Sequence, residues 1–197
     1  MRLKIMLDLE EIPLKDMAST TAKEVHKLLG VNNKWHDLER KPFTCSLIRG
    51  GKLVDRLVRY NNDAHIFINT EDNEIIDAVL ANNPTFEIIP IKVFNGYNLL
   101  SVKYVVFTVE GKKQWITEEN KARFIKHIES RYAIKVEILK LKNSVINFKN
   151  KMNLPVTDLL IKIPNGTNVL NLFNSGIGGS CSLGFGFVES IINEEVI

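Results

Sequence analysis

The sequence predicts an α+β fold built from two tandem β-α-β-β-α-β units. Short segments alternate apolar with polar residues, which is the period of half-buried strands. Two longer stretches in the first half and one in the second place apolar residues three or four positions apart, as amphipathic helices do. The same order begins again after the turn-rich stretch Asn95-Gly96-Tyr97-Asn98. This order is the ferredoxin-like (RRM-like) motif, in which a four-stranded antiparallel sheet carries both helices on one face.

The first unit is predicted to cover residues 1–97. Its elements, in order, are a strand at 3–9, a helix at 17–29, strands at 43–48 and 64–69, a helix that begins near residue 73, and a strand at 86–94. Gly30 is the stop signal of the first helix, and Asp72 or Asn73 caps the second. The stretch Arg49-Gly50-Gly51-Lys52 favours a hairpin between the two middle strands.

The second unit is predicted to cover residues 98–197 and is less regular. A β-branched and aromatic run predicts a strand at 102–109, and Thr117 begins a helix with an apolar stripe that ends at Tyr132. Strands follow at 135–142 and 159–163, with a short helix or turn at 169–173. A glycine-rich loop and a last strand complete the unit.

Composition limits the class of protein. At 197 residues and 45% apolar, the chain can bury the core of two small domains. The two cysteines, Cys45 and Cys181, lie far apart without a metal-binding spacing, which argues against a zinc site and a disulfide scaffold. No run approaches the ~18 apolar residues of a membrane span, and charges interrupt the N-terminus. We therefore predict a soluble cytoplasmic protein that binds no membrane, metal or cofactor.

Positive charge is concentrated in the second half of the chain. Residues 1–98 contain 13 Lys and Arg against 14 Asp and Glu, whereas residues 99–197 contain 13 against 9. Five lysines fall in a stretch with a single acid, Glu137: Lys135, Lys140, Lys142, Lys149 and Lys151. This stretch is either a solvated lysine face or a track for an RNA backbone, and the sequence leaves both interpretations open.

The segment from Gly176 to Gly186 reads GIGGSCSLGFG and precedes the strand-like FVESI. Glycine adopts positive φ angles and lets backbone approach backbone or phosphate closely, so the spacing predicts a tight phosphate-facing loop. A purely structural turn is the alternative. A dinucleotide-binding fingerprint is excluded because no helix and acidic residue can follow in the few residues that remain.

This glycine pattern resembles the C-terminal signature of the RAMP proteins of CRISPR systems, in the form typical of their repeat-cleaving endoribonuclease (the Cas six family). All four spaced glycines match: Gly176, Gly178, Gly184 and Gly186. A second segment, WHDLERKPFTCSL, is similar to the family's segment in which a histidine precedes a K-x-F-T-x-S strand; here it contains His36, Lys41, Phe43, Thr44 and Ser46. The family's third active-site residue, often tyrosine, ends the first helix, where this chain has His26.

The resemblance implies an endoribonuclease that cuts CRISPR precursor RNA within its repeats without a metal. A base would activate the neighbouring 2′-OH, an acid would protonate the departing 5′-oxygen, and a cation would stabilise the phosphorane, leaving 2′,3′-cyclic phosphate and 5′-OH ends. Histidine suits both proton roles because its unperturbed pKa is ~6.5. We assign His36 as general base, His26 as general acid and Lys41 as phosphate clamp, although residue types alone do not order the two histidines.

The predicted RNA contacts are the glycine loop, the lysine track and the K-x-F-T-x-S strand: Gly176, Gly178, Gly179, Ser180, Ser182, Gly184, Gly186, Lys140, Lys142, Lys149, Lys151, Thr44 and Ser46. The implied partner is the precursor repeat, and subunits of a CRISPR effector complex or a second copy of the chain stay open as further partners. Two rival functions also stay open. One is a non-catalytic RAMP subunit that binds guide RNA, and the other is a ferredoxin-like module that binds a small ligand or a protein.

Overall fold

The computed structural model of the chain describes residues 1–30, 33–35, 38, 41–83, 85–93, 96–148, 152–164 and 168–191. The strands are β1 (Arg2–Met6), β2 (Glu11–Pro13), β3 (Phe43–Cys45), β4 (Lys52–Val54), β5 (Leu57–Arg59), β6 (His65–Thr70), β7 (Phe86–Ile89), β8 (Tyr97–Val105), β9 (Phe107–Val109), β10 (Lys112–Gln114), β11 (Glu137–Phe148), β12 (Met152–Pro164) and β13 (Phe187–Ser190). The helices are α1 (Met17–Leu29), α2 (Asn73–Asn82), α3 (Lys121–Tyr132) and α4 (Val169–Ser175).

The first half forms an antiparallel sheet in the order β3-β6-β1-β7. This is the ferredoxin-like order, so the predicted fold class is confirmed. Leu3 and Ile5 of β1 are fully buried in the core that Val25 of α1 and Ile75 of α2 complete. Helix α1 has the predicted bounds, and Gly30 follows it with a φ of +87°. Both helices therefore cover one face of the sheet.

The middle of the first half differs from the prediction. Strand β3 ends at Cys45, and residues 52–59 form an additional hairpin that pairs with β2 in a three-stranded sheet of order β2-β5-β4. The hairpin signal at 49–52 therefore begins an insertion and does not join β3 directly to β6. Gly50 has a φ of +80°, and a Cβ there would lie 2.2 Å from the Asp63 carbonyl oxygen. This close approach sets the path of the insertion.

The second half repeats the topology in a sheet of order β11-β12-β8-β13. Phe124 and Ile128 of α3 pack on its inner face with Leu100 and Val102 of β8. Strands β11 and β12 are longer than predicted and cover residues 137–148 and 152–164. Strand β8 ends sooner than predicted, near Tyr104, which has a φ of +55°. The division of the chain at residue 97 stays a prediction.

The long β11–β12 hairpin reaches back to the first half. Leu154 and Val156 from its distal part share a buried cluster with Ala18 of α1, Leu47 and Phe185. The two halves are therefore joined by a small apolar core of their own, formed by residues distant in sequence.

No helix in the described part of the chain is long and apolar enough to cross a bilayer.

Two arginines of the first half, Arg2 and Arg49, make hydrogen bonds across the boundary between the two sheets. Arg49 of the first half makes two 2.7 Å hydrogen bonds to the carboxylate of Glu189 on β13. Arg2 donates to Asn69 Oδ1 and to the Val188 carbonyl, both at 2.9 Å. Such charge-assisted and forked hydrogen bonds fix geometry as well as adding stability. They hold β13 against the inner strands β1 and β6, on the face of the first sheet opposite its helices.

The buried carbonyl of Phe173 makes a second connection between the two halves. The Phe173 carbonyl lies in the last turn of α4, where a helix leaves carbonyls without intrahelical partners. It accepts hydrogen bonds from Thr44 Oγ1 at 2.8 Å and from Asn69 Nδ2 at 3.0 Å. Both donors belong to the first sheet and are fully buried. The end of α4 is therefore anchored by side chains of the other half.

We predict that the two donors to the Phe173 carbonyl are energetically coupled. Thr44→Val alone should lower the free energy of unfolding by about 1 kcal/mol, because Asn69 still satisfies the carbonyl. Combining it with Asn69→Ala should cost about 1 kcal/mol more than the sum of the single changes, because a buried acceptor is then left unpaired. Urea unfolding of the four proteins measures this coupling. Thr108→Val, at an exposed position of β9, is the control and should change stability by less than about 0.5 kcal/mol; strictly additive losses would contradict the prediction.

Candidate nucleic-acid interface

A polar cleft of about 530 Å³ lies where the two halves meet at the ends of α3 and α4. Lys41 and Phe43 line it from the first half, and the second half contributes residues of α3, α4 and the glycine loop: Arg131, Tyr132, Asn171, Ser175, Gly178, Gly179, Ser180, Cys181 and Ser182. A volume of this size is within the ~300–1,000 Å³ typical of small-ligand sites. The cleft therefore has the size of a small-ligand site.

The cleft is positively charged. Lys41 and Arg131 line it from opposite halves, and none of its described lining residues is a carboxylate. Lys41 Nζ donates to the carbonyls of Trp35 and Leu38, at 2.7 and 3.1 Å, and these hydrogen bonds hold the ammonium at the cleft. The Arg131 guanidinium lies 5.3 Å from the centre of the Tyr132 ring, in a cation–π contact. Two cations in a lining whose described residues include no carboxylate favour an anionic ligand.

The glycines of the loop are required by close packing. Gly176, Gly178, Gly184 and Gly186 all have φ angles between +62° and +97°. A Cβ on Gly186 would lie 1.9 Å from the Ile177 carbonyl oxygen, and one on Gly184 would lie 2.5 Å from Leu47 Cδ2. Both the backbone angle and the space exclude a side chain at these positions.

Several loop amides already have protein partners. The amide of Gly176 donates to the Leu172 carbonyl, that of Gly179 to Val106, and that of Gly186 to Lys103, at 2.8 to 2.9 Å. These three amides hold the loop in place and do not point at a ligand. Only the part from Gly178 to Ser182 lines the cleft. The predicted phosphate-facing loop thus consists of a packed frame, with Gly176, Gly184 and Gly186, and a short segment at the cleft.

Neither cysteine is suited to be a nucleophile. Burial raises the pKa of the Cys181 thiol to about 12, and the nearby charge of Arg131 only partly opposes this effect. Burial also raises the pKa of Cys45 far above that of a free thiol. Because the thiolate is the reactive form, both side chains remain neutral at physiological pH. No group of three or more potential metal-binding side chains occurs within the described ranges.

The structure describes two of the three predicted catalytic residues. Lys41 lines the cleft, whereas His26 is half-buried in the last turn of α1 and is absent from the cleft's described lining. His36 lies outside the described residues. Lys41 is thus the one of the two described residues that lines the cleft, and all three catalytic assignments stay predictions.

The remaining predicted RNA contacts fall into three groups. Thr44 and Ser46 are buried and bonded within the protein, with Ser46 Oγ accepting from the Phe67 amide at 3.0 Å, so they lie outside any surface that RNA reaches. Lys140 and Lys142 of β11 are exposed, and in the strand register they lie opposite Leu160 and Asp158 of β12. Their side chains are on the face of the sheet away from α3, and therefore away from the end of α3 that lines the cleft. Lys149 and Lys151 lie outside the described residues.

Six lining residues were not predicted as site residues: Phe43, Arg131, Tyr132, Asn171, Ser175 and Cys181. Tyr132 was assigned to the apolar stripe of α3, and it is indeed 93% buried, but its hydroxyl donates to the Gly176 carbonyl at 2.6 Å. Arg131 is its exposed neighbour at the end of the helix, and Asn171 and Ser175 lie one turn apart on α4. The weak helix signal of α4 gave no indication that its polar residues face a site.

The fold is shared with known structures over nearly the whole chain, at low sequence identity. A RAMP protein described as binding different RNA substrates matches with a TM-score of 0.74 and 18% identity, covering 98% of this chain and 100% of that one. A CRISPR-associated protein Cas6 matches with a TM-score of 0.68, 17% identity and coverages of 97% and 98%. A Cas6-related protein from Pyrococcus furiosus matches with a TM-score of 0.67, 15% identity and coverages of 98% and 99%. No family model and no curated protein sequence matches the chain.

We predict that Gly186→Ala strongly destabilises the protein and that Gly179→Ala does not. A Cβ at 186 collides with backbone at a φ of +62°, whereas one at 179 would meet nothing closer than 3.8 Å. The positive φ and the overlap together should cost about 3 kcal/mol or more at position 186, against less than about 0.5 kcal/mol at 179. Thermal and urea unfolding of both variants test this; equal losses would show that the loop adapts to a side chain.

Proposed function

We propose that this chain binds CRISPR precursor RNA with a backbone phosphate in the cleft and cleaves the RNA within its repeats without a metal ion. One observation carries the proposal. Lys41 and Arg131 line the same cleft from different halves of the chain, and its described lining contains no carboxylate. The likeness to RAMP and Cas6 structures supports the choice of RNA as the anion, since one of them is described as binding RNA.

Lys41 is the proposed phosphate clamp. Its ammonium is fixed by two backbone carbonyls, so little reorganisation is needed when a phosphate arrives. During 2′-OH attack, negative charge builds up on the non-bridging oxygens of the phosphorane. A preorganised cation at that position stabilises the transition state more than the ground state.

The two histidines supply the proposed proton transfers. His36 removes the proton of the 2′-OH, and His26 protonates the departing 5′-oxygen, which leaves 2′,3′-cyclic phosphate and 5′-OH ends. Each such group typically contributes ~10²–10⁴-fold to a rate. His26 belongs to the last turn of α1, and His36 follows Trp35, whose carbonyl accepts from Lys41.

A second candidate is an RNA-binding protein that does not cleave. It is favoured by the absence of His26 from the described cleft lining, and by the description of a similar RAMP protein through its RNA binding. This candidate uses the same two cations and the same loop. It differs from the first only in the fate of the bound RNA.

We predict cleavage of the repeat RNA encoded beside this gene in the presence of EDTA. His36→Ala should slow it by ~10²–10⁴-fold, and a single 2′-deoxy nucleotide at the cut site should abolish it, because the nucleophile is then missing. Denaturing gels with end-group analysis of the products measure both effects. Binding without any cleavage would overturn the catalytic proposal in favour of the second candidate, and cleavage of the deoxy substrate would overturn the 2′-OH mechanism.

We also predict that Lys41 contributes one phosphate contact. Lys41→Ala should weaken binding of single-stranded RNA and lower the slope of log K against log salt by about 0.7. Lys126→Ala is the matched control, because Lys126 is exposed on α3 and does not line the cleft. Fluorescence anisotropy of labelled RNA at several salt concentrations measures the slope, and an equal slope for the wild type and the Lys41 variant would place the phosphate elsewhere.

A further inference from the structure

The second half contributes one wall of the cleft, and two of its side chains are neutral, unlike the Lys41 ammonium. Asn171 and Ser175 on α4 line this wall with Arg131. A phosphate offers only acceptors, so it makes no use of a neutral amide oxygen. An amide and a hydroxyl, each a donor and an acceptor, match a group that also offers both, as a nucleobase edge does.

The Arg131 guanidinium is held in a position from which it can bind a planar group. Its guanidinium lies 5.3 Å from the centre of the Tyr132 ring, and that ring is itself fixed by the 2.6 Å hydrogen bond from its hydroxyl to the Gly176 carbonyl. Arg131 is exposed, so it has no packing role of its own in the core. A guanidinium with restricted motion presents two parallel N–H donors at little entropic cost.

We propose that the wall formed by Arg131, Asn171 and Ser175 binds an unpaired guanine next to the phosphate at Lys41. Guanine offers two adjacent acceptors, O6 and N7, to the forked donors of arginine, and N–H donors that an amide or hydroxyl oxygen accepts. Adenine and uracil lack an adjacent pair of acceptors. Cytosine has such a pair, N3 and O2, but offers only the N4 amino group as a donor, whereas guanine offers both N1–H and the N2 amino group. Sequence-specific recognition of RNA generally uses such unpaired bases. This inference rests on the proposed binding of RNA in the cleft, but not on cleavage.

The test measures binding of the full chain to four labelled eight-nucleotide uridine oligomers, which carry one central G, A, C or U with a 2′-deoxy sugar to prevent cleavage. The wild type should bind the G oligomer ~5- to 150-fold more tightly than the others. Arg131→Ala and Asn171→Ala should reduce this preference. Arg131→Lys keeps the charge but not the fork, so it should retain affinity for all four and lose the preference.

Arg123→Ala is the matched control. Arg123 is an exposed arginine on the same helix, paired with Glu110 at 3.4 Å and absent from the cleft lining. Its variant should keep both affinity and preference. If the wild type binds all four oligomers equally, or if the Arg131 variants weaken all four equally and keep the preference, Arg131 contacts a phosphate and the guanine proposal is overturned while RNA binding stands. If the wild type binds none of the four, both proposals are overturned.

Discussion

The Phe173 carbonyl is the point on which the arrangement of the two halves depends. This carbonyl lies in the last turn of α4 and is buried, and its two hydrogen-bond donors, Thr44 and Asn69, belong to the first sheet. The glycine loop begins three residues later, so the anchor also fixes where the loop starts. The Arg49–Glu189 pair then holds β13, where the loop ends. Between these two attachments the loop has little freedom, and the cleft takes its shape from it.

The cleft thus combines a rigid frame with a few exposed groups. The frame is made by glycines and backbone hydrogen bonds, which no ligand needs to contact. The charged groups of the cleft are side chains at the ends of secondary-structure elements: Lys41 lies just before β3, and Arg131 lies at the end of α3. Residues at such positions can be exchanged without disturbing either sheet. Binding and folding are consequently supported by largely different residues.

The fold could be predicted from the sequence because each half repeats the same local periodicities in the same order. The bounds of α1 and its stop at Gly30 followed from local signals alone. The site was harder to predict, because its members are separated by up to 141 positions and meet only through tertiary packing. Lys41 and the loop had recognisable neighbours in sequence, whereas Arg131 and Asn171 are ordinary polar residues until α3 and α4 line the same cleft. Thr44 and Ser46 matched a motif, yet their hydroxyls are used to join strands and halves.

The close packing of the four positive-φ glycines bears on how this loop changes in evolution. Substitution at Gly184 or Gly186 is opposed by the packing of the loop, whatever the cleft binds. A descendant that changed the residues at the cleft but kept its architecture would retain the same spacing. The glycine spacing therefore reports the architecture of the chain, and a survey of genomes that used this spacing alone to assign an activity would include proteins that lack that activity.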